Sequence, residues 1–174
     1  MTANDERQLG RAKNGVLSFF ERKLSVPRIY FDAVWSNQKV DVLAIDRDGV
    51  GDVHAALLFV DEYFPNGSPK MDSRIKSIEA LYGRFANIPA QFKYLVAVEV
   101  GSGVHKPLSL SPALSDQAFS PDGIGRIGLA SVEFLREDEP QTKLLVKPER
   151  FRAKVAQLAD EFVEKYAADW EIRA

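Results

Sequence analysis

The chain has 174 residues, no cysteine, two histidines and a formal net charge of −2. That length suits one domain burying roughly 70% of its unfolded surface without staples, and the lack of cysteine excludes disulfide frameworks and thiolate metal sites. The charge balance gives no overall pull toward nucleic acid, although Arg7, Arg11, Lys13, Arg22, Lys23 and Arg28 outnumber Asp5, Glu6 and Glu21 in the first thirty residues, enough for a local basic face on a first helix. The polar start and the lack of any run near ~18 apolar residues argue against a signal peptide or membrane span. The expected location is cytoplasmic.

From Asp5 to Leu24, apolar residues recur mostly at three- and four-residue steps, which predicts a helix with one buried stripe, stopped by Pro27. Arg28 to Trp35 and Val40 to Asp46 read as strands, the second followed by a turn at Arg47-Asp48-Gly49. Val53 to Val60 is an almost unbroken apolar run, as a strand covered on both faces requires. Asp61 to Lys70 carries Pro65, Asn66-Gly67 and Pro69 and reads as a loop. Asp72 or Ser73 can cap a helix reaching Ala86, and Gln91 to Val100 predicts another core strand. Gly101 to Gly123 is long and lacks periodicity, which suggests an irregular functional loop. Ile124 to Leu135 and Thr142 to Val146 read as a strand pair around the charged turn Arg136 to Pro140, and Pro148 to Ile172 as a closing amphipathic helix. No linker divides the chain, so residues 1–174 are expected to form a single α/β domain with a central mixed sheet flanked by helices.

This order of elements, together with Lys39-Val40-Asp41-Val42-Leu43-Ala44-Ile45-Asp46-Arg47-Asp48-Gly49, resembles the restriction-endonuclease-like fold of the PD-(D/E)XK nuclease superfamily, in particular small bacterial members associated with DNA repair. Tyr94 to Val98 and Gly125 to Glu133 resemble later strands of the same proteins. The resemblance implies that Asp41 is the first metal-binding acid, joined in an active enzyme by a second acid and by a lysine two residues beyond it. Mg²⁺ prefers several oxygen ligands, and phosphodiester hydrolysis needs that charge beside the developing oxyanion. Here the strand that should carry the pair reads Val53-His54-Ala55-Ala56-Leu57-Leu58-Phe59-Val60, with Ala56 in the place of the acid and Leu58 in that of the lysine. The expectation is a nuclease-fold protein that has lost its catalytic centre, needs no cofactor and acts by binding a protein or nucleic-acid partner. The alternative is an active Mg²⁺-dependent nuclease in which Asp41 works with migrated residues: Asp61 and Glu62 as acids, Lys70 or Lys76 as the base-side cation, or Glu21 from the first helix. A third reading is an interaction module, oligomeric through the last helix.

Other candidate chemistry has simpler accounts. Asp46, Asp48 and Asp52 alternate, but a Ca²⁺ loop needs twelve-residue spacing closed by a glutamate and flanked by helices, so a hairpin turn fits better. His54 and His105 lie far apart, and His54 on an apolar strand reads as a hydrogen-bonded core residue. Ser102 lacks a nucleophile elbow, and the glycines from Gly123 to Gly128 match neither phosphate-loop pattern. Tyr30, Phe31 and Trp35, and likewise Tyr166 and Trp170, read as core aromatics before base-stacking platforms.

Overall fold

The computed structural model describes residues 3–24, 27–46, 52–61, 79–99, 126–135 and 139–166. They form one six-stranded mixed sheet between helices, an α/β arrangement. Helix α1 (Ala3–Lys23) leads into β1 (Pro27–Trp35), β2 (Gln38–Asp46) and β3 (Val53–Asp61). Helix α2 occupies residues 79–85 and precedes β4 (Phe92–Glu99). Strands β5 (Gly128–Leu135) and β6 (Glu139–Val146) come next, and α3 (Ala156–Tyr166) closes the described chain. The strands lie in sequence order; β3, β4 and β5 are parallel and the remaining neighbours antiparallel. No helix among the described residues is long and apolar enough to cross a membrane.

Two apolar layers sandwich the sheet. On one face α1 touches all six strands and buries Ala12, Val16, Leu17 and Phe20 against Ile29, Val42, Ala44, Ala56, Leu58 and Tyr94. Ala12, Val16 and Phe20 recur at steps of four with Leu17 beside them, so a single stripe meets the sheet. Gly15 lets α1 sit close to β6, since a Cβ there would stand 3.0 Å from that of Pro140. On the other face Tyr82 and Phe85 of α2 and Ala159, Phe162 and Val163 of α3 pack on Tyr30, Trp35, Leu43, Val53, Ala55 and Leu57. The apolar run of β3 is thereby explained: alternate residues enter opposite layers and both are covered.

Strands β1 and β2 join through Ser36 and Asn37, whose φ angles of 49° and 63° are those of a two-residue turn matched to strand twist. Trp35 donates its indole N–H to the Pro89 carbonyl at 2.7 Å, fixing the exit of α2 against this hairpin.

The closing helix begins later than the sequence predicts. Phe151 and Val155 do enter the core, but from an extended strap. Glu149 makes a two-way backbone bridge with Arg126, the Phe151 N–H donates to the Gln91 carbonyl at 2.8 Å, and the first helical turn closes only at the Ala159 N–H to Val155 carbonyl bond. Backbone bonds to the sheet therefore outweigh local periodicity over 148–155. Similarly, Pro140 lies inside β6 opposite Phe134, where a turn was expected, and β5 begins at Gly128, later than Ile124. Tyr166 packs on Phe162 with ring centroids 4.7 Å apart, so the described stripe of α3 is used on its own sheet. The predicted turn at 47–49, the loop at 62–70, the start of the 72–86 helix, the 101–123 loop with Ser102 and His105, and Trp170 lie outside the described residues.

Candidate functional site

Asp41 lies in β2 where the sheet changes phase. Phe31 faces Val42 and Ala33 faces Val40, which leaves Asp32 and Asp41 opposite each other at a gap in the β1–β2 ladder. Before the gap Ile29 and Phe31 enter the α1 layer; beyond it Ala33 and Trp35 enter the other layer, and Val40 and Val42 divide the same way. Both strands have slipped by one residue in the alternation that a regular strand keeps. Asp32 takes up the slip with a φ of 51°, a conformation that aspartate tolerates better than most residues.

The β2–β3 ladder also stops here, with Val42 opposite Ala56 as its last pair. One residue further along β2, the Asp41 Oδ2 accepts the backbone N–H of Leu58 at 2.8 Å. The carboxylate thus replaces a backbone acceptor in the splayed ladder. Lys13 from α1 donates to both oxygens of Asp32 at 2.8 Å, and Lys39 stands 4.0 Å from Asp32 Oδ1. Arg84 of α2 donates to the Lys39 carbonyl at 2.7 Å. These groups, with Glu6, Leu9 and Leu58, line a cleft of about 390 Å³. Its one lining residue from β3 is Leu58, in the carboxyl half of that strand.

Burial pushes the Asp41 carboxyl above the ordinary carboxylate range. The Leu58 N–H and the charges of Lys13 and Arg84 pull it back, and the neighbouring Asp32 adds to the rise. The site therefore holds a desolvated acid beside a solvated, lysine-paired one.

Ala56 and Leu58 are buried in the α1 layer, 0% and 7% exposed. Nothing polar from that face of β3 reaches Asp41 except the Leu58 N–H among the described residues. Asp61 ends β3 in register with Glu99 of β4, three residues beyond Leu58. Glu62, Lys70 and Lys76 lie outside the described residues, and Glu21 is an exposed residue of α1. Among the described residues no group of three or more His, Cys, Asp or Glu side chains is placed to hold a metal. Among the described residues, both Asp32 oxygens face the Lys13 ammonium, and one Asp41 oxygen accepts an N–H.

Asp32, Lys13, Lys39 and Arg84 were not legible as site residues, though one signal existed. Asp32 and Asp41 are equidistant from Ser36-Asn37, so reading that pair as a two-residue turn would have placed them face to face.

At the far end of β3, His54 is the core residue its context predicts. It is 3% exposed, its Nδ1 lies 3.2 Å from the Tyr94 hydroxyl, and it stacks on Phe92 with centroids 4.7 Å apart. Burial lowers its pKa to about 4, so the ring is neutral near pH 7.

No family model, no curated protein and no solved structure matches the chain.

Proposed function

We propose that this chain is a nuclease-like α/β domain that binds a protein or nucleic-acid partner and does not hydrolyse it. The observation that carries the reading is the β3 strand beside Asp41: Ala56 and Leu58 pack under α1, and the Leu58 N–H occupies an oxygen of the acid that would otherwise hold metal. Hydrolysis of a phosphodiester by the metal route needs more oxygen ligands than this face of β3 offers. The restriction-endonuclease-like layout rests on the order of elements and on the resemblance of the Lys39–Gly49 segment, and so is an argument by analogy.

An active Mg²⁺-dependent nuclease is the competing reading, favoured by one placement: Asp61 and Glu99 end adjacent parallel strands, three residues beyond the Leu58 that lines the Asp41 cleft. One set of measurements separates the two. The purified protein is incubated with single- and double-stranded DNA and with RNA in Mg²⁺ or Mn²⁺, and its thermal midpoint is recorded with and without metal for wild type and Asp41→Asn. The binding reading expects intact substrates and no metal-dependent midpoint shift, since a metal held only by the native state must raise the midpoint. Cleavage, or a metal-induced rise, that disappears in Asp41→Asn would establish the enzyme instead.

A further inference from the structure

The strongest concentration of positive charge lies away from Asp41. Between Lys143 and Lys154 the chain carries Lys143, Lys147, Arg150, Arg152 and Lys154 against the single acid Glu149, in a protein whose net charge is −2. The second half of this segment is the strap between β6 and α3, and its placement is tightly specified. Buried Gln91 accepts the Val53 N–H at 2.8 Å and donates to the Ala153 carbonyl at 3.1 Å, while the Phe151 N–H donates to the Gln91 carbonyl. Lys93, itself buried, donates to the Phe85 carbonyl at 2.8 Å and lies 4.4 Å from the centre of the Phe151 ring.

The strap consequently alternates. Phe151, Ala153 and Val155 turn toward the sheet, whereas Arg150, Arg152 and Lys154 are exposed. Residues 150–154 line an open concavity of about 610 Å³ whose surface is mainly apolar. Arg150 is paired with Asp52 at 2.6 Å, but among the described residues no ion pair engages Arg152, Lys154 or the exposed Lys147. In extended chain, same-face side chains repeat every ~6.6 Å, so the three cations form a row roughly 13 Å long. Burial and, second to it, the like charge of Lys147 hold the Lys23 ammonium below its ordinary value, so Lys147 lies toward the end of α1. Two unpaired cations on one face, Arg152 and Lys154, beside the Asp52-paired Arg150, anchored by main-chain bonds and set over an apolar floor that includes an aromatic ring, match a polymer with regularly spaced anions and flat apolar faces.

We propose that the 147–154 strap binds the phosphate backbone of single-stranded nucleic acid, with Arg152 and Lys154 at successive phosphates and Phe151 in the floor available to a base. Arginine suits phosphate because its planar fork donates two parallel hydrogen bonds, and base–aromatic contact tolerates any sequence. The surface is separate from the Asp41 cleft, lying across the starts of β3, β4 and β5, whereas Asp41 meets β3 at Leu58, five residues and roughly 17 Å further along. The proposal names nucleic acid as the partner of the binding reading above. It rests on that reading only for the absence of cleavage.

The test is fluorescence anisotropy of a labelled oligodeoxythymidylate across a salt titration, with wild type, Arg152→Ala/Lys154→Ala and, as a charge control on α3, Lys165→Ala. Two phosphate contacts give wild type a slope of log affinity against log salt of about −1.4, and the double variant flattens it toward zero. At ~0.1 M salt the double variant binds roughly 25-fold more weakly, because each lost contact is worth a factor of ~5 there. Lys165→Ala binds like wild type. Both altered strap residues are exposed, so the thermal midpoint stays unchanged and certifies the fold. Absence of binding at low salt, or binding undiminished in the double variant, overturns the proposal. Poly-glutamate competing as well as the oligonucleotide overturns it too, in favour of an acidic protein partner. Binding followed by cleavage in Mg²⁺ upholds the strap while refuting the non-hydrolytic reading.

Discussion

Replacing Asp41 in two ways distinguishes a structural acceptor from a catalytic acid. Asp41→Asn removes the charge but keeps an oxygen in position to accept the Leu58 N–H, whereas Asp41→Ala removes both. Burial raises the Asp41 pKa, so the charged form is disfavoured in the fold and its cost is fully present above the folded pKa. Asparagine relieves that cost, and the expected change at pH 7 is within about 1 kcal/mol of zero or stabilising. Alanine also relieves the charge but leaves the Leu58 N–H without its acceptor where the ladder to β2 has already ended. An unsatisfied buried donor costs ~1–3 kcal/mol, so Asp41→Ala should lie below Asp41→Asn by about that amount. Urea unfolding at pH 7 measures both, with the slope checked for constancy so that only the midpoint is compared. Because the wild-type cost vanishes on protonation, the Asn advantage should shrink as the pH falls through the raised Asp41 pKa. Equal stability of the two variants would refute the acceptor role. A loss above roughly 2 kcal/mol in Asp41→Asn would mean that the anion itself, through Lys13 or Arg84, holds the site together.

Three further outcomes follow from the core. His54 is neutral in the fold with a pKa of about 4, so its stabilising contribution is complete above the ordinary histidine value of 6.5 and lost as pH falls toward 4. Between pH 7.5 and pH 5 wild type should lose about 2 kcal/mol more than His54→Phe in urea unfolding, and parallel pH profiles would rule this out. Gln91→Leu orphans the Val53 N–H and the Ala153 carbonyl, with an expected loss of about 3 kcal/mol and faster hydrogen exchange at the Phe151 amide; normal exchange there would show that the strap has another anchor. Gly128→Ala sets a Cβ 2.9 Å from Pro148 Cδ and 3.1 Å from its backbone nitrogen, neither of which can swing aside, so denaturation should report a loss of about 1–3 kcal/mol, and a neutral result would mean the strap is loosely seated.

The sequence by itself determined the elements whose signal is local. The stripe from Ala12 to Phe20 could only be a helix with one buried face, and the run from Val53 to Leu58 needed cover on both sides; each lies as its periodicity demands. His54 on that apolar run was readable as a core residue for the same reason. What only the tertiary structure decided concerns residues whose partners are distant in the chain. Asp41 stood out through the resemblance of its segment, but its acceptor role depends on where the β2–β3 ladder ends, and Asp32 joins it only because a two-residue turn sets the register. Lys13, nineteen residues from Asp32 in sequence, meets it because α1 lies across that end of the sheet. The strap at 148–155 reads as helix by spacing alone, since Phe151 and Val155 are four apart, yet it stays extended because Gln91 and Arg126 offer its backbone hydrogen bonds that a helix would forgo. Periodicity records which residues face the core. Only the meeting of distant strands records which polar groups must answer one another there, and in this protein those groups form both the Asp41 cleft and the basic strap.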